Sequence, residues 1–331
     1  MLKAALIGCG KIGSEFAEDP RIKGIYTHAG AYDACPSTQL VAVCDICSDK
    51  ANRAAARWQS VAYTDAITML NECKPEIVSI CSTDDSHFGI LCDVVMKTNG
   101  VRAILVEKPL AMNMQDAREA IRLAHSKGIQ IAVNYSRRYS TSHQQLHKRL
   151  LAGEIGSIQT VSGYYTKGTR HNGSHWFDLA RFLVGEVADV WARNSLGEEN
   201  PDPTLDVVLS FKNGASGSLQ ALDANAYSLF EMDIIGKKGR VSIYDSGHRM
   251  SFYQVGDSPY YSGYQTLLPW SDGSNDMANT LLYAVQDLVN SLKSGETVRC
   301  SGEDGVAALA IAEAAFLAAA TGRVVKLDDI K

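Results

Sequence analysis

Two histidines, His171 and His175, stand four residues apart in the stretch GTRHNGSHWFDLARF, where a loop is predicted to turn into a helix. On a helix this spacing places both rings on one face, which would suit a metal ion. Histidine also changes its charge near neutral pH, so the pair would equally suit proton transfer. The third interpretation is that the two rings only pack, and the rest of the chain has to decide among the three.

A second group of residues is typical of nucleotide binding. Gly8, Gly10 and Gly13 form the pattern G-x-G-x-x-G in LIGCGKIG, directly after a predicted strand and at the predicted start of a helix. Glycines at these positions allow a tight turn, the close approach of a pyrophosphate and close helix–strand packing. The context therefore predicts a dinucleotide site.

Asp45 is the acidic partner expected after such a glycine turn, at the end of the strand LVAVCD. It comes late because of an apparent insertion, DPRIKGIYTHAGAYDACPST, before the second strand. A carboxylate there accepts both ribose hydroxyls and repels a 2'-phosphate, which favours NAD. NADP remains the alternative, since Lys50 or Arg53 would soften that repulsion.

Lys108 is the third candidate, in the segment ILVEKPLA. It follows a predicted strand at the sheet edge where doubly wound sheets bind ligands. Pro109 disfavours the helical region for Lys108, so we expect its ammonium group to be presented over the cleft. Taken alone, it would equally be an exposed lysine paired with Glu107.

The composition excludes several classes of protein. A chain of 331 residues predicts two domains, and a net charge of -5 with a pI near 5.9 offers no basic stripe for nucleic acid. No apolar run is expected to approach the roughly 20 residues that span a bilayer. The start MLKAALIGCGKIG enters a strand without a secretory signal, which predicts the cytoplasm.

The eight cysteines are predicted to be small buried residues and not a disulfide framework. Cys9, Cys44 and Cys81 lie inside apolar, strand-like runs. Cys44 and Cys47 form a C-x-x-C pair, but one lies in a predicted strand and the other beyond it. We therefore expect neither redox nor zinc chemistry from this pair.

The pattern of apolar residues differs between the two halves of the chain. Residues 2 to about 133 alternate short apolar runs with helical stretches, which predicts a parallel sheet covered on both faces. After residue 150, longer alternating strands are joined by turns such as KNGA and GKKGR. This half is predicted to be α+β, with a large open, mainly antiparallel sheet and helices near 174–184, 276–293 and 302–320.

Five segments, GCGKIG, EKPLA, NYSRRY, GEIGSIQTV and GSHWFDLARFLVGEV, follow one another as in the glucose-fructose oxidoreductase and inositol dehydrogenase family, Gfo/Idh/MocA. The chain resembles this family over nearly its whole length. The resemblance implies an α/β protein with a Rossmann domain at 1–134 and an α+β domain at 135–331, which binds substrate and forms a homodimer or homotetramer through its sheet. It also implies hydride transfer between NAD and a hydroxyl or keto carbon of a sugar, sugar derivative or cyclic polyol.

The resemblance assigns Lys108 and His175 as the catalytic residues, since they match the E-K-P and G-x-H motifs. His175 is expected to take the substrate proton, and Lys108 to stabilise the negative charge that develops on oxygen. With Ser174 as N-cap, His175 would lie in the first turn of a helix, where the dipole disfavours imidazolium. Cofactor contacts are expected from Gly8, Gly10, Lys11, Ile12, Gly13, Asp45, Ser82, Thr83, Glu107 and Lys108, and substrate contacts from Asn134, Lys167, Arg170 and His171. His87 is expected to be structural.

A zinc site would need a third ligand in a defined geometry. The nearby Asn172, Ser174 and Asp178 do not complete a set, so no metal is predicted.

His171 stands where many members of the family keep an aspartate. The lost negative charge, with Lys167 and Arg170 just before it, leaves the substrate side basic. This favours an anionic ligand such as a sugar nucleotide, sugar phosphate or uronate. The alternative is that the side chains of Lys167 and Arg170 point to solvent.

Two other functions remain open. One is a glycoside hydrolase of the same family, which uses NAD as a catalytic cofactor and accumulates no NADH. The other is a catalytically silent sensor of cofactor or sugar, against which the presence of both Lys108 and His175 argues.

Overall fold

The computed structural model describes residues 1–274 and 277–330. They form two compact units: unit 1 comprises Met1–Tyr139 and Ala278–Val306, and unit 2 comprises Ser140–Met277 and Ala307–Lys331. Unit 1 thus takes in a late segment that a division into residues 1–134 and 135–331 leaves with the second domain. The assignment of separate roles to the two domains stays a prediction.

The strands and helices are named here in chain order. The strands are β1 (Leu2–Ile7), β2 (Thr38–Cys44), β3 (Val61–Tyr63), β4 (Ile77–Ile80), β5 (Ala103–Val106), β6 (Gln130–Val133), β7 (Ile158–Tyr165), β8 (Val187–Arg193), β9 (Asp206–Phe211), β10 (Ser216–Ala221), β11 (Phe230–Gly236), β12 (Gly239–Tyr244), β13 (Arg249–Asp257), β14 (Gln265–Ser274) and β15 (Val325–Lys326). The α-helices are α1 (His28–Ala34), α2 (Ser48–Trp58), α3 (Ala66–Cys73), α4 (His87–Lys97), α5 (Met114–Ser126), α6 (Thr141–Leu151), α7 (Ser174–Leu183), α8 (Thr280–Ser294) and α9 (Gly302–Thr321).

Unit 1 is built on a parallel sheet with the strand order β3-β2-β1-β4-β5-β6. β4 and β5 are buried at every position, as expected for strands covered by helices on both faces. The order reverses at β1, and ligands bind at the carboxyl ends of the strands next to such a reversal. The predicted Rossmann sheet is confirmed.

Unit 2 is built on a nine-stranded sheet in the order β14-β13-β12-β11-β7-β10-β9-β8-β15. β7 and β10 are parallel, and the other neighbours are antiparallel. Buried and half-buried residues alternate strictly along β11 and β12, so one face of the sheet covers a core and the other is open. The predicted open, mainly antiparallel sheet is confirmed.

The three late helices are close to their predicted positions. α7 and α9 agree with the predicted 174–184 and 302–320 to within one residue at each end, and α8 begins at Thr280 where 276 was predicted. Residue 276 lies outside the described residues.

One expectation about apolar length is wrong. By length and composition α9 is apolar enough to cross a membrane, and nearly half of its apolar stretch is buried inside the structure. The run is rich in alanine and interrupted by Glu313, which makes it less conspicuous than a run of leucines. Ile311, Ala312 and Ala315 belong to the core of unit 2, so α9 packs as a core helix.

Candidate active site

The three glycines after β1 form a cradle that side chains would fill. Gly8 has a φ of 95°, and a Cβ atom there would lie 2.5 Å from the backbone carbonyl of Cys81. A Cβ atom on Gly13 would lie 2.1 Å from the carbonyl oxygen of Gly8, whereas one on Gly10 would meet no atom within 4 Å. Lys11 is exposed beside them. Gly8 and Gly13 therefore serve the tight turn, and Gly10 leaves open space that fits a dinucleotide pyrophosphate.

The glycines do not open an α-helix, which corrects the prediction. The N–H of Glu15 donates to the carbonyl of Gly10 at 3.0 Å, and this wide turn passes into a short 3-10 helix at Glu15–Glu18. α1 begins only at His28, whose N–H donates to the carbonyl of Ile12 at 3.0 Å. The predicted insertion therefore contains a helix that packs back onto the glycine turn.

Asp45 follows β2 beside this turn. Its Oδ2 accepts the backbone N–H of Cys9 at 2.8 Å, and its Oδ1 accepts that of Cys47 at 2.9 Å. These bonds fix the carboxylate at the glycine turn. Each oxygen keeps a second lone pair, so the carboxylate can still accept ribose hydroxyls.

The two basic side chains near Asp45 are held by another carboxylate. Lys50 Nζ and Arg53 Nη2 lie 3.8 Å and 3.1 Å from Glu15 Oε1. Their charges are therefore shared with Glu15, which reduces the compensation that they offer to a 2'-phosphate.

Ser82 and Thr83 follow β4 at the same edge of the sheet. The Oγ of Ser86 lies 2.6 Å from Ser82 Oγ and 2.7 Å from the carbonyl oxygen of Thr83. His87 is fully buried, with its ring nitrogens 2.7 Å from the carbonyl oxygen of Pro109 and 3.1 Å from that of Ser82. His87 thus ties two segments of the edge together, which is the structural role expected for it.

Lys108 follows β5 and is only 9% exposed. The preceding residue, Glu107, is 8% exposed, and its Oε1 accepts the Asn134 amide at 2.6 Å and the His28 Nε2–H at 2.9 Å. Asn134 Oδ1 is buried and has no hydrogen-bond partner among the described residues. The edge therefore carries a nearly buried lysine, Lys108, and an amide oxygen, Asn134 Oδ1, that can still accept a hydrogen bond.

His28 continues this network inward. It is 0% exposed, and its Nδ1 lies 2.9 Å from Ser79 Oγ, which in turn lies 2.7 Å from the Tyr32 hydroxyl. Burial raises the pKa of Tyr32, so its phenol stays protonated. Tyr32 then donates to Ser79, Ser79 donates to His28 Nδ1, and His28 Nε2 donates to Glu107. Each of these buried polar groups thus has a hydrogen-bond partner.

The charge of Glu107 is stabilised despite its burial. Burial alone would raise the pKa of this carboxyl group. The hydrogen bond from His28, the Asn134 bond and the nearby Lys108 outweigh that effect and lower the pKa below its ordinary value. Glu107 is therefore an anion at neutral pH. His28 and Ser79 were not predicted; the only local signal was a polar residue inside the apolar strand EIVSICS and a histidine inside the apparent insertion.

In unit 2, the histidine loop is a π-helix at Gly168–Gly173 that runs directly into α7. Ser174 is therefore not the N-cap that was predicted: it has helical φ and ψ of -58° and -33°, and its Oγ lies 3.4 Å from the carbonyl oxygen of His171. His171 is exposed and His175 half-buried. Because the helical run begins at Gly168, His175 is not in its first turn, and the dipole argument for a neutral ring loses its basis.

The surroundings of the loop also differ from the expected basic surface. Asp202 brings a carboxylate to the backbone N–H groups of Arg170 and His171, at 2.7 Å and 2.8 Å. The Arg170 guanidinium pairs with Glu313 at 2.8 Å and lies over the ring of Phe316. Negative charge is thus present beside the loop, supplied from elsewhere in the sequence.

Lys167 is exposed, with a left-handed φ of 71°. This position agrees with either expectation, contact with substrate or exposure to solvent. Within the part of the chain that the structure describes, no group of three or more His, Cys, Asp or Glu side chains is placed to hold a metal ion.

Cys9, Cys44 and Cys81 are buried, as expected from their strand-like runs, whereas Cys73 and Cys92 are half-buried and Cys47 is exposed, so the prediction of buried cysteines is only partly confirmed. Burial, reinforced by Asp45, raises the pKa of Cys9 to about 12, and burial, reinforced by Asp65, raises that of Cys44 to about 12. Burial also raises the pKa of Cys81. Cys47, beyond the end of β2, is exposed.

Known proteins match the chain along almost its whole length. It is 24% identical to myo-inositol 2-dehydrogenase of Thermotoga maritima, over 99% of both chains. It is 25% identical to D-apiose dehydrogenase of Paraburkholderia graminis, over 99% of this chain and 90% of the other. Among solved structures, levoglucosan dehydrogenase in complex with NADH matches with a TM-score of 0.81 and 19% identity, over 98% of this chain and 99% of the other. That structural match shows the shared fold.

Two family models also match: an oxidoreductase family with an NAD-binding Rossmann fold at residues 2–135, and the C-terminal alpha/beta domain of the same family at residues 168–327. Unit 1 supplies the glycine cradle and the strand-end carboxylate that such a cofactor requires. The chain therefore belongs to the Gfo/Idh/MocA family of NAD-binding oxidoreductases.

Proposed function

We propose that this protein is a dehydrogenase that transfers a hydride between NAD and a hydroxyl or keto carbon of a sugar, sugar derivative or cyclic polyol. The observation that carries the proposal is the buried Glu107–Lys108 pair at the carboxyl edge of the NAD-binding sheet. A 9% exposed lysine held beside an ionised glutamate is costly unless its charge is used. The myo-inositol and D-apiose dehydrogenases that resemble the chain give the substrate class.

Each side chain then has one task. When bound, NAD supplies the hydride acceptor at its nicotinamide ring. His175 takes the proton of the substrate hydroxyl, and Lys108 donates a hydrogen bond to the same oxygen as negative charge develops on it. Asn134 Oδ1 accepts a hydrogen bond from the nicotinamide amide or from a second hydroxyl. In the reductive direction His175 returns the proton.

NAD is the proposed cofactor in preference to NADP. Asp45 is fixed at the glycine turn by two backbone N–H groups, and Lys50 and Arg53 are shared with Glu15. A 2'-phosphate would therefore meet a fixed carboxylate with little positive charge to offset it.

A neutral sugar or polyol is favoured over an anionic one. Arg170 is paired with Glu313, and Asp202 lies against the histidine loop. Of the three basic side chains expected to attract an anion, only Lys108 and Lys167 then keep a charge that Glu313 does not neutralise. His171, Lys167 and Arg170 remain proposed contacts that orient the substrate.

We also propose a cytoplasmic homodimer or homotetramer formed through the open face of the unit 2 sheet. Tyr164 and Val208 are 41% and 46% exposed on central strands of that sheet. Exposed apolar side chains on a sheet face are typical of association surfaces. Light scattering after size-exclusion chromatography checks this, since a monomer at micromolar concentration would contradict it.

A substrate screen tests the proposed function. Myo-inositol, D-apiose, simple glucosides, a uronate and a sugar nucleotide are each incubated with NAD and with NADP, and both NADH and released aglycone are measured. NADH formation with a sugar or polyol supports the proposal. Aglycone release without NADH would instead indicate a glycoside hydrolase, and NAD binding without any turnover would indicate a sensor.

A further inference from the structure

Asp202 lies 31 residues beyond His171 in the chain, yet it is bonded to the histidine loop through both carboxylate oxygens. Oδ1 accepts the backbone N–H of Arg170 at 2.7 Å, and Oδ2 accepts that of His171 at 2.8 Å. These N–H groups lie in the first turn of the helical run that contains His175, and the hydrogen bonds of a helix do not use the N–H groups of its first turn. A carboxylate is the strongest acceptor for such groups, because the bonds are charge-assisted and the helix dipole favours an anion.

The backbone before the loop is shaped to admit this carboxylate. Lys167 and Gly168 both have left-handed φ, of 71° and 83°. A Cβ atom on Gly168 would lie 2.3 Å from Asp202 Oδ2, so only glycine leaves the necessary space. The close approach of Asp202 is thus built into two successive backbone conformations that side chains disfavour.

The segment around Asp202 is itself fastened to the same loop. Thr204 Oγ1 accepts the N–H of Gly168 at 3.0 Å, and Thr169 Oγ1 donates to the carbonyl of Pro203 at 2.6 Å. The Tyr165 hydroxyl donates to the carbonyl of Leu205 at 2.8 Å. Burial raises the pKa of Tyr165, which keeps this donor protonated. The segment 202–205 therefore binds the loop at successive residues, with Asp202 at the end that reaches His171.

We infer that Asp202 is a positioning residue for His175: by holding the N–H groups of Arg170 and His171, it fixes the start of the helical run and so the place of the His175 ring. This inference rests on the proposed function, in which His175 moves the proton. No contact between Asp202 and substrate is required. Removal of its charge should therefore lower turnover without weakening NAD binding, which uses residues of unit 1.

The test compares Asp202→Asn with Asp223→Asn. Asp223 Oδ1 also accepts a backbone N–H, that of Asn225 at 2.8 Å, in another loop of unit 2, so the control removes a similar bond elsewhere. Asparagine has one acceptor oxygen, and its NH2 group would face the second N–H. Amide hydrogen exchange is measured at Arg170 and His171, together with kcat and KM on myo-inositol or on whichever panel sugar the wild type oxidises.

In Asp202→Asn we expect exchange at the two amides to rise about 10-fold or more, and kcat to fall about 10-fold or more, the scale of a displaced catalytic group. The KM for NAD and the melting temperature should stay close to wild type, Asp202→Glu should recover part of kcat, and Asp223→Asn should change neither readout. Unchanged exchange at both amides, or unchanged kcat with faster exchange, would overturn the inference.

Two further measurements apply if the variant does not fold or if the wild type shows no activity. If Asp202→Asn does not fold, Thr204→Val replaces it: exchange at Gly168 should rise and kcat should fall by a smaller factor, and no change in either would overturn the inference. If the wild type oxidises no sugar of the panel, the proposed function fails, and the exchange measurement alone decides whether Asp202 holds the loop.

Discussion

Lys108 and His175 are the two proposed catalytic residues, and the protein holds them in different ways. The Lys108 segment is fixed by buried side chains, with Glu107 bonded to both His28 and Asn134. The His175 segment is fixed through backbone N–H groups that a half-buried carboxylate accepts. When one side chain of a buried hydrogen-bond network is removed, its former partners stay away from water without a partner, which destabilises the whole fold. The half-exposed bonds of Asp202 can instead break locally while the rest of the protein stays folded. Damage to the first should therefore cost stability, and damage to the second should mainly cost turnover.

The largest effects should come from the catalytic side chains themselves. Lys108→Ala and His175→Ala should each lower kcat by roughly 100-fold or more, the usual scale for a charge-stabilising group or a general base. NAD affinity, measured by fluorescence titration, should change little. His171→Ala is the matched control on the same loop, and it should chiefly raise KM or move the pH profile of kcat/KM. Near-wild-type activity of His175→Ala, with loss of activity in His171→Ala, would show that the base is wrongly assigned.

The next effect is on stability and depends on pH. Because the pKa of Glu107 in the folded protein lies below its ordinary value of 4.5, the carboxylate stabilises the fold fully above pH 4.5 and loses that effect as the pH falls through the folded pKa. Glu107→Gln should therefore lower the free energy of unfolding at pH 7 by about 1–3 kcal/mol, because a neutral amide oxygen replaces the charged acceptor of the His28 and Asn134 bonds and the charge beside Lys108 is lost. The difference from wild type should shrink in denaturant titrations at acid pH.

Glu119→Gln is the control for this prediction, since Glu119 is an exposed glutamate on α5 paired with Arg122. It should leave stability nearly unchanged at both pH values. Equal stability of Glu107→Gln and wild type at pH 7 would contradict the claim that the buried network around Glu107 stabilises the fold.

The smallest effect should be on cofactor choice. Asp45 resembles Asp202 in accepting two backbone N–H groups, but it is proposed to face the ligand as well. Asp45→Ser should narrow the preference for NAD over NADP by about tenfold, equivalent to roughly 1.4 kcal/mol. Binding titrations with both cofactors measure this, and tighter NADP binding by the wild type would contradict it.

The features that the sequence predicted are local ones. Gly8, Asp45 and Lys108 each follow an apolar run, and the carboxyl ends of parallel strands meet at one edge, so the cofactor side could be assembled from pattern alone. The alternation of the later strands likewise predicted an open sheet.

What the sequence did not predict depends on distant partners. His28 is bonded to Ser79 and Glu107, and Asp202 is bonded to backbone N–H groups 32 and 31 residues away. Contacts between residues so far apart in the chain produce no recognisable spacing in the sequence. The π-helix at Gly168–Gly173, which these bonds accompany, was not predicted either. Strand β14 also lacks a clear strand pattern in the sequence, because it contains Pro269, next to a register irregularity at the edge of the sheet.

The cysteines give the molecule a built-in reporter position. Thiols react as thiolates, and with pKa values near 12 Cys9 and Cys44 hold almost none at neutral pH. Cys47 is exposed, and its N–H is bonded to the carboxylate proposed to hold the adenosine ribose. A maleimide dye at Cys47 would therefore sit beside the cofactor, and its emission would follow NAD arriving and leaving without any engineered thiol.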